Sequence, residues 1–487
     1  MEAFMKIELK NIGIIKHSDI KLDGLTVITG HNNSGKTTVG KTIYSLIDSV
    51  SDLKQKATND KILYIRKQLE EVANDLEVFQ LIQYINNKID DFSKTNNIFI
   101  STMNREFRTL PVEEIEIFAR SLYEFLSIEF SFESGRKSKR KNFGGKVSKD
   151  YVEILNSKRI KSLEKLKKMF DDLNKDPQLI DYARESINQT LNIEFENQIQ
   201  PVKEAVDFSE IIIEDEKSLY FKIKIQNNTV QKEKRPCFIS SPYKKAYFID
   251  DPFIFDNEKF NYGPSGRNYW NKTECETFLN SFRIKTHSKK LKNVLCSIND
   301  ETVFEKNVIN SGLEIIKKQI DKILPGEFQF TSGGGFYVRD GVKLRISNLA
   351  TGSKMFSILK LLLQKGKLNG ETVVILDEPE AHLHPGWQNK FAEIIVLLVK
   401  ELNIKVVLTT HSPNFMLAID AYMRKYDITN MTNFYQTKML ENEFAEYVCV
   451  NDDLGKIYAD FVEYLSDVKA LRNLYCCHGK GENLNDK

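Results

Sequence analysis

The chain has 487 residues, 70 Lys and Arg against 68 Asp and Glu, and a formal net charge of +2, with 41% hydrophobic and 28% charged residues. That composition excludes a wholly disordered chain. Near-neutrality excludes a general polyanion binder, so any nucleic-acid contact must come from local clustering. A length of this order predicts roughly two to four domains. Cys237, Cys275, Cys296, Cys449, Cys476 and Cys477 are scattered without a CxxC pair, as expected of reduced thiols in a cytoplasmic protein. The longest wholly apolar run, Ile394 to Val399, is far below the roughly 20 residues of a membrane span, so no membrane partner is expected.

Strands are predicted at Met5 to Leu9, Asp19 to Leu22 and, after an Asp23-Gly24 turn, Leu25 to Thr29. The last runs into a glycine-rich loop, and a helix follows from Lys36 to about Val50. Residues 52–197 read as mostly helical, with Ile62, Ile65, Leu69 and Val72 at helical spacing. The absence of a long heptad run points to a compact helical insertion. Strands return at Ile211 to Ile225 and Ala246 to Ile249. Asp340-Gly341 reads as the turn of a hairpin between Phe336 to Arg339 and Val342 to Ile346. A helix from about Ser353, a strand Val373 to Leu376, a helix from about Trp387 and a strand Val406 to Leu408 complete the pattern. Short apolar strands alternating with helices predict an α/β fold, a mixed β-sheet flanked by helices. The expected divisions are an N-terminal lobe (1–50), a mostly helical insertion (51–235), a C-terminal lobe (236–435) and a tail (436–487).

Gly30-His31-Asn32-Asn33-Ser34-Gly35-Lys36-Thr37 fits the pattern G-x4-G-K-[ST]. Glycines let the backbone bend so that successive amides point at phosphate oxygens, and the helix that follows adds the positive end of its dipole. Lys36 is expected to reach the β- and γ-phosphates and the Thr37 hydroxyl to ligate Mg²⁺. In ETVVILDEPE (371–380) four apolar residues form a buried strand from which Asp377 and Glu378 emerge, at the strand end where open α/β sheets bind ligands. Asp377 is expected to hold Mg²⁺ through water, and Glu378 to act as general base on the attacking water.

Asn348-Leu349-Ala350-Thr351-Gly352-Ser353-Lys354 opens a further apolar helix. Its small residues could form a second anion-binding turn, with Asn348, Thr351, Gly352 and Ser353 as the candidate contacts, or simply a helix cap. His411, in Thr409-Thr410-His411-Ser412-Pro413, ends the next buried strand, where it would sense the γ-phosphate. His382 and His384 lack a carboxylate partner beyond the Mg²⁺ pair and read as part of a loop at a subunit contact rather than a zinc site.

Together these motifs resemble the SMC-like and RecF-like ABC ATPases. More narrowly, NLATGSK, VVILDEPEAHLHPGWQ and VVLTTHSP resemble the stand-alone bacterial AAA-family ATPases. Those are related to the ATPase half of the overcoming-lysogenization-defect nucleases and to the ATPase subunits of Septu- and PARIS-type phage defence. The resemblance covers residues 1–50 and about 330–420. It implies a P-loop NTPase of ABC/SMC type with Gly30 to Thr38 as Walker A, Asn348 to Lys354 as signature, Asp377 and Glu378 as Walker B, Ala381 to His384 as D-loop and His411 as switch histidine. It further implies ATP and Mg²⁺ as ligands, and an ATP-dependent head-to-tail homodimer in which each signature caps the partner's nucleotide. The stretch after His411 is too short for a Toprim nuclease domain, so an ATPase without nuclease is expected.

Residues 136–168 hold thirteen Lys or Arg, among them Arg136, Lys137, Lys139, Arg140 and Lys141, against three acids. A helix with such a face could track DNA or RNA phosphates, or be a solvated loop. Three functions stand at this point. One is an ATP-gated switch, as in phage defence, coupled to a separately encoded effector. Another is a DNA-repair or chromosome-maintenance ATPase that binds DNA itself. The third is a scaffold that binds ATP without turnover.

Overall fold

The computed structural model describes residues 5–73, 112–127, 149–174, 178–204, 206–215, 220–232, 238–256, 286–296, 311–331 and 334–459, with 466 and 469–472. The basic residues Arg136 to Lys141 lie outside the described residues. Two compact units divide the chain: Met1–Asp52 with Ile180–Tyr269 and Ile284–Lys487, and Leu53–Leu179 with Trp270–Arg283.

The first unit is built on a mixed sheet. In chain order its strands are β1 (Met5–Ile12), β2 (Ile15–Leu22), β3 (Leu25–Thr29), β4 (Ser209–Asp215), β5 (Tyr220–Gln226), β6 (Thr229–Val230) and β7 (Lys245–Ile249). A small separate sheet holds β8 (Glu327–Thr331), β9 (Gly334–Arg339) and β10 (Val342–Arg345), and the main sheet resumes with β11 (Thr372–Asp377), β12 (Lys405–Thr410), β13 (Thr432–Met439) and β14 (Ala445–Cys449). Among the described residues the main sheet runs β6-β5-β4-β1-β2-β14-β13-β3-β12-β11-β7. Strands β13, β3, β12, β11 and β7 pair in parallel, each with the next. Their carboxyl ends therefore line up along one edge, and that edge carries the site. The strands from β6 to β2 are antiparallel.

Residue patterning explains this division. β1 alternates buried Met5, Ile7 and Leu9 with outward Lys6, Glu8 and Lys10, the period-2 signature of a sheet with one wet face. β3, LTVIT, is buried throughout, as a central strand covered on both sides must be. Leu25, Val27, Leu376, Val374, Leu408 and Val406 face one core. Ile28, Val373, Ile375 and Val407 face the other. Helix α1 (Lys36–Val50) covers the second face with Val39, Ile43 and Ile47. In the other unit, α2 (Leu53–Ala73), α3 (Val112–Ser127) and α4 (Lys149–Leu173) pack together. The spaced residues Ile62, Ile65, Leu69 and Val72 form the buried face of α2, and Leu122 of α3 and Leu166 and Met169 of α4 are buried as well. Among the described residues, no helix is long and apolar enough to cross a membrane.

Several boundaries differ from the sequence expectation for local reasons. β2 begins at Ile15, not Asp19, because Ile15, His17 and Ser18 pair with β1 although the polarity of Lys16, His17 and Ser18 disguises a strand. Asp340 and Gly341 both adopt positive φ, giving the tight β9–β10 turn that Asp-Gly predicts. Residues 436–449, read from sequence as the start of a tail, supply half of β13 and all of β14, inside the main sheet.

The end of β7 is fastened by a buried histidine. Helices α5 (Leu179–Glu194) and α6 (His287–Cys296) meet there. His287 Nδ1 lies 2.5 Å from Glu194 Oε2 and Nε2 lies 3.0 Å from Asp250 Oδ2, while the His287 amide donates to Glu194 Oε1 at 2.8 Å. Burial pulls the imidazole pKa down, but the hydrogen bonds and charges of Asp250 and Glu194 outweigh it and leave it raised to about 9. A pKa raised on folding stabilises the fold fully below the ordinary histidine value, and that stabilisation is lost as pH rises through the folded value. The melting temperature is therefore expected to fall between pH 6.5 and 9.5, and His287→Gln to be less stable at pH 6.5 but to lose less over the same interval. Thermal unfolding at a series of pH values checks this; parallel curves for the two proteins would contradict it.

Candidate functional site

β3 ends in the glycine-rich loop because nothing but glycine fits at Gly30. Its φ is +149°, and a Cβ there would come within 1.6 Å of Thr437 Oγ1 on β13. The loop then turns through Asn33 and Gly35, both at positive φ, into α1. Ser34 Oγ donates to the His31 carbonyl at 2.8 Å. Tyr447 of β14, buried so that its phenol pKa is pushed up, donates to the Ser34 carbonyl at 3.2 Å. The β13–β14 hairpin thus backs the loop from behind. His31, Asn32 and Asn33 are exposed on the other side, Gly30 and Thr38 are half-buried, and Ser34 and Lys36 are buried. Lys36 Nζ donates to the carbonyls of Gly30 (3.1 Å) and His31 (2.8 Å) and sits 3.5 Å from Glu378 Oε1.

The acidic pair at the end of β11 meets this loop. The Thr37 hydroxyl donates to Asp377 Oδ2 at 2.6 Å, and the Thr409 hydroxyl, from β12, donates to Asp377 Oδ1 at 2.5 Å. Burial pushes the Asp377 carboxyl above the usual carboxylate range, the two hydroxyls act against that, and the negative charges of Glu378 and Asp250 add to it. Glu378 stands at φ +48°, an uncommon conformation for a non-glycine residue. It is held there by its amide, which donates to the Thr409 carbonyl (3.2 Å) and hydroxyl (3.0 Å). His411 Nδ1 reaches Glu378 Oε1 at 3.1 Å. The structure therefore brings together Gly30 to Thr37, Asp377, Glu378 and His411. Thr37, Asp377 and Glu378 themselves offer only hard oxygens, and a cation would relieve the crowded negative charge, which is the donor chemistry that suits Mg²⁺.

The signature-like segment lies on a different element. After helix α7 (Ser311–Ile323) and the small sheet, helix α8 (Thr351–Gln364) starts at Thr351, with Asn348 exposed and Thr351, Gly352 and Ser353 half-buried. A Cβ on Gly352 would approach the Trp387 ring to 3.1 Å and Leu383 to 3.3 Å, so the turn lies close against both. Lys354, buried, pairs with Asp256. Asp256 closes a short 3₁₀ turn, Pro252–Phe255, that follows Asp250 and is capped by Asp251. His384 caps helix α9 (Pro385–Leu402), accepting from the Gly386 amide at 3.2 Å.

Several contributors escaped sequence reasoning: Thr437 and Tyr447 behind the loop, Thr409 across both acids, and Asp250 at the end of the strand beside β11. Thr409 and Thr410 did carry a signal, since fully buried hydroxyls at a strand end require polar partners. Thr437 and Tyr447 carried none, being about 400 residues away in sequence.

A family model described as AAA ATPase domain matches residues 5–416. The probable ABC transporter ATP-binding protein p29 of Mesomycoplasma hyorhinis is 23% identical over 190 residues, 37% of this chain and 70% of that protein. The retron Ec83 probable ATPase of Escherichia coli is 33% identical over 126 residues, 23% of this chain and 22% of that protein. Among solved structures, the SMC head domain from Thermotoga maritima is similar with a TM-score of 0.35 at 10% identity, covering 92% of this chain and 99% of that one. An Smc head domain with an extended coiled coil, bound to the C-terminal domain of ScpA derived from Pyrococcus furiosus, is similar with a TM-score of 0.31 at 11% identity, covering 95% and 100%.

The Gly30–Thr437 approach gives a direct test of the loop. Gly30→Ala is expected to weaken binding of a fluorescent ATP analogue at least about tenfold, roughly 1.4 kcal/mol. Thr437→Ala added to it should recover part of that affinity by removing the hydroxyl in the way. Equal affinities for wild type and Gly30→Ala in an anisotropy titration would refute the packing argument.

Proposed function

Because the chain belongs to the AAA ATPase domain family, it binds and hydrolyses ATP, and we propose that it does so as an ATP-gated head-to-tail homodimer that acts on DNA. The observation that carries the catalytic half is the joining of Thr37 to Asp377 at 2.6 Å, with Glu378 between Lys36 and His411. In this reading the amides of Gly30 to Thr38 and the Lys36 ammonium bind the phosphates. Thr37 and Asp377 would hold Mg²⁺, which neutralises charge on phosphate oxygens. Glu378 orients water and accepts its proton, and His411 senses the γ-phosphate. Asn348, Thr351, Gly352 and Ser353 would cap the nucleotide held by the partner subunit. Their position at the start of α8, with Asn348 exposed and the others half-buried, leaves them available for that role.

Glu378→Gln is expected to lower turnover about a hundredfold or more while leaving ATP bound. With magnesium and ATP this variant should run as a dimer in light scattering, and Lys36→Ala should run as a monomer. A Glu378→Gln protein that hydrolyses ATP at the wild-type rate removes Glu378 from the role of base. A monomer at saturating nucleotide removes the dimer.

The DNA half rests on the charge block at 136–168, thirteen basic residues against three acids. Replacing Arg136, Lys137, Lys139, Arg140 and Lys141 by Gln should weaken duplex DNA binding and flatten its dependence on salt, by about 0.9 in log–log slope for each phosphate that is no longer neutralised. An unchanged slope in a salt-titrated binding assay would transfer the output elsewhere. The second reading, a switch coupled to a separately encoded effector in phage defence, is supported by the resemblance of NLATGSK, VVILDEPEAHLHPGWQ and VVLTTHSP to defence ATPases. It gains if DNA binding is absent.

A further inference from the structure

We infer that Gln388 and Glu380 are positioning residues that fasten the His411 loop to the loop after β11, so that His411 and the Leu383 face beside the signature turn move as one body. The inference rests on the reading of His411 as the phosphate sensor, and names what sets it.

Gln388 lies in the first turn of α9. Its amide nitrogen donates to the carbonyls of Glu380 (3.3 Å) and Leu383 (3.1 Å). Its amide oxygen accepts from the Ser412 hydroxyl (3.4 Å) and the Asn414 amide (3.0 Å). The orientation of this amide is fixed by its neighbours, because the two backbone carbonyls can only accept. One side chain therefore bridges the loop that follows β11 and the loop that follows β12.

Glu380 makes the same connection from inside. It is 2% exposed, and its Oε1 accepts from the Thr410 hydroxyl at 2.5 Å and from the His411 amide at 3.3 Å. Burial pushes its carboxyl above the usual range. The Thr410 hydroxyl in turn accepts from the Ser412 amide at 3.1 Å. The His411 backbone is thus held by Glu380 and its ring by Glu378, while Gln388 holds the residues that follow. On the opposite side Leu383 and Trp387 abut Gly352. A displacement at the signature turn reaches His411 through two loops that are hydrogen-bonded together, and none of these bonds involves the phosphate loop.

Gln388 is only partly buried, so Gln388→Ala should fold. It is expected to lower kcat about tenfold, the scale of a few missing neutral hydrogen bonds, with the affinity for a fluorescent ATP analogue within about twofold of wild type. Acting through His411, it should change kcat less than about twofold when added to His411→Ala. Glu380→Gln keeps an acceptor toward Thr410 and His411 and should retain several-fold more activity than Glu380→Ala. Steady-state phosphate release on these variants separates the outcomes. If His411→Ala is slow but Gln388→Ala is as fast as wild type, or the two effects multiply fully, the positioning role is wrong and the sensor reading stands. If His411→Ala turns over like wild type, the sensor reading fails and this inference with it.

Discussion

The carboxylate of Asp377 accepts one hydroxyl from Thr409, on the adjacent strand β12, and one from Thr37, in the first turn of the helix that follows β3. These bonds close three parallel strands into a single site. A buried carboxylate without such partners would cost several kcal/mol. The parallel register makes them attainable, because Asp377 pairs abreast of Thr409 and Thr410 abreast of Thr29. Moving β12 by a residue would turn the Thr409 side chain to the opposite face and take that donor from Asp377. Register, burial and site chemistry are therefore one constraint.

The same edge is crowded with negative charge. Asp250 follows the last residue of β7, next to the pair Ile249 and Leu376, and its charge, with that of Glu378, adds to the rise that burial imposes on Asp377. His287 compensates Asp250 from one side, and hydrogen bonding to it holds the Asp250 carboxyl down against the opposing effect of burial. Lys36 stands near Glu378 from the other. An edge built this way favours a polyphosphate only together with a cation, since the phosphates alone would add like charge to it. That is a physical reason for expecting nucleotide and Mg²⁺ to be bound together.

The phosphate loop, the acidic strand end and the histidine loop were legible in the sequence because each is a contiguous segment whose chemistry depends on its own spacing. β3, β11 and β12 were legible for a related reason: strands buried on both faces read as unbroken apolar runs. What escaped was long-range. Tyr447 reaches Ser34 across 413 residues and Thr437 sits against Gly30, and neither interaction leaves a local period. β13, TNFYQTKM, has buried residues interrupted by polar ones, so its place beside β3 is set by pairing and not by apolar content. Likewise Glu194, Asp250 and His287 are ordinary residues in sequence, and only the sheet edge and two helices make them a cluster. The helix starts at Thr351 and Pro385 fell two residues before the expected positions; at Pro385 the reason is local, because His384 caps the helix and proline suits its first turn.

Glu378 shows how long-range bonding acts on chemistry. A non-glycine residue at φ +48° costs on the order of 1–3 kcal/mol, and it persists because the Thr409 carbonyl and hydroxyl both take its amide. The carboxylate is therefore aimed by β12, although it belongs to β11. The strand that aims Glu378 also ends in the loop that carries His411. The proposed base and the proposed sensor thus share one support, and whatever shifts the end of β12 must shift both. In that proposal, coupling between sensing and hydrolysis needs no lever between distant parts, because the two groups already meet at 3.1 Å on a strand end that neither can leave alone.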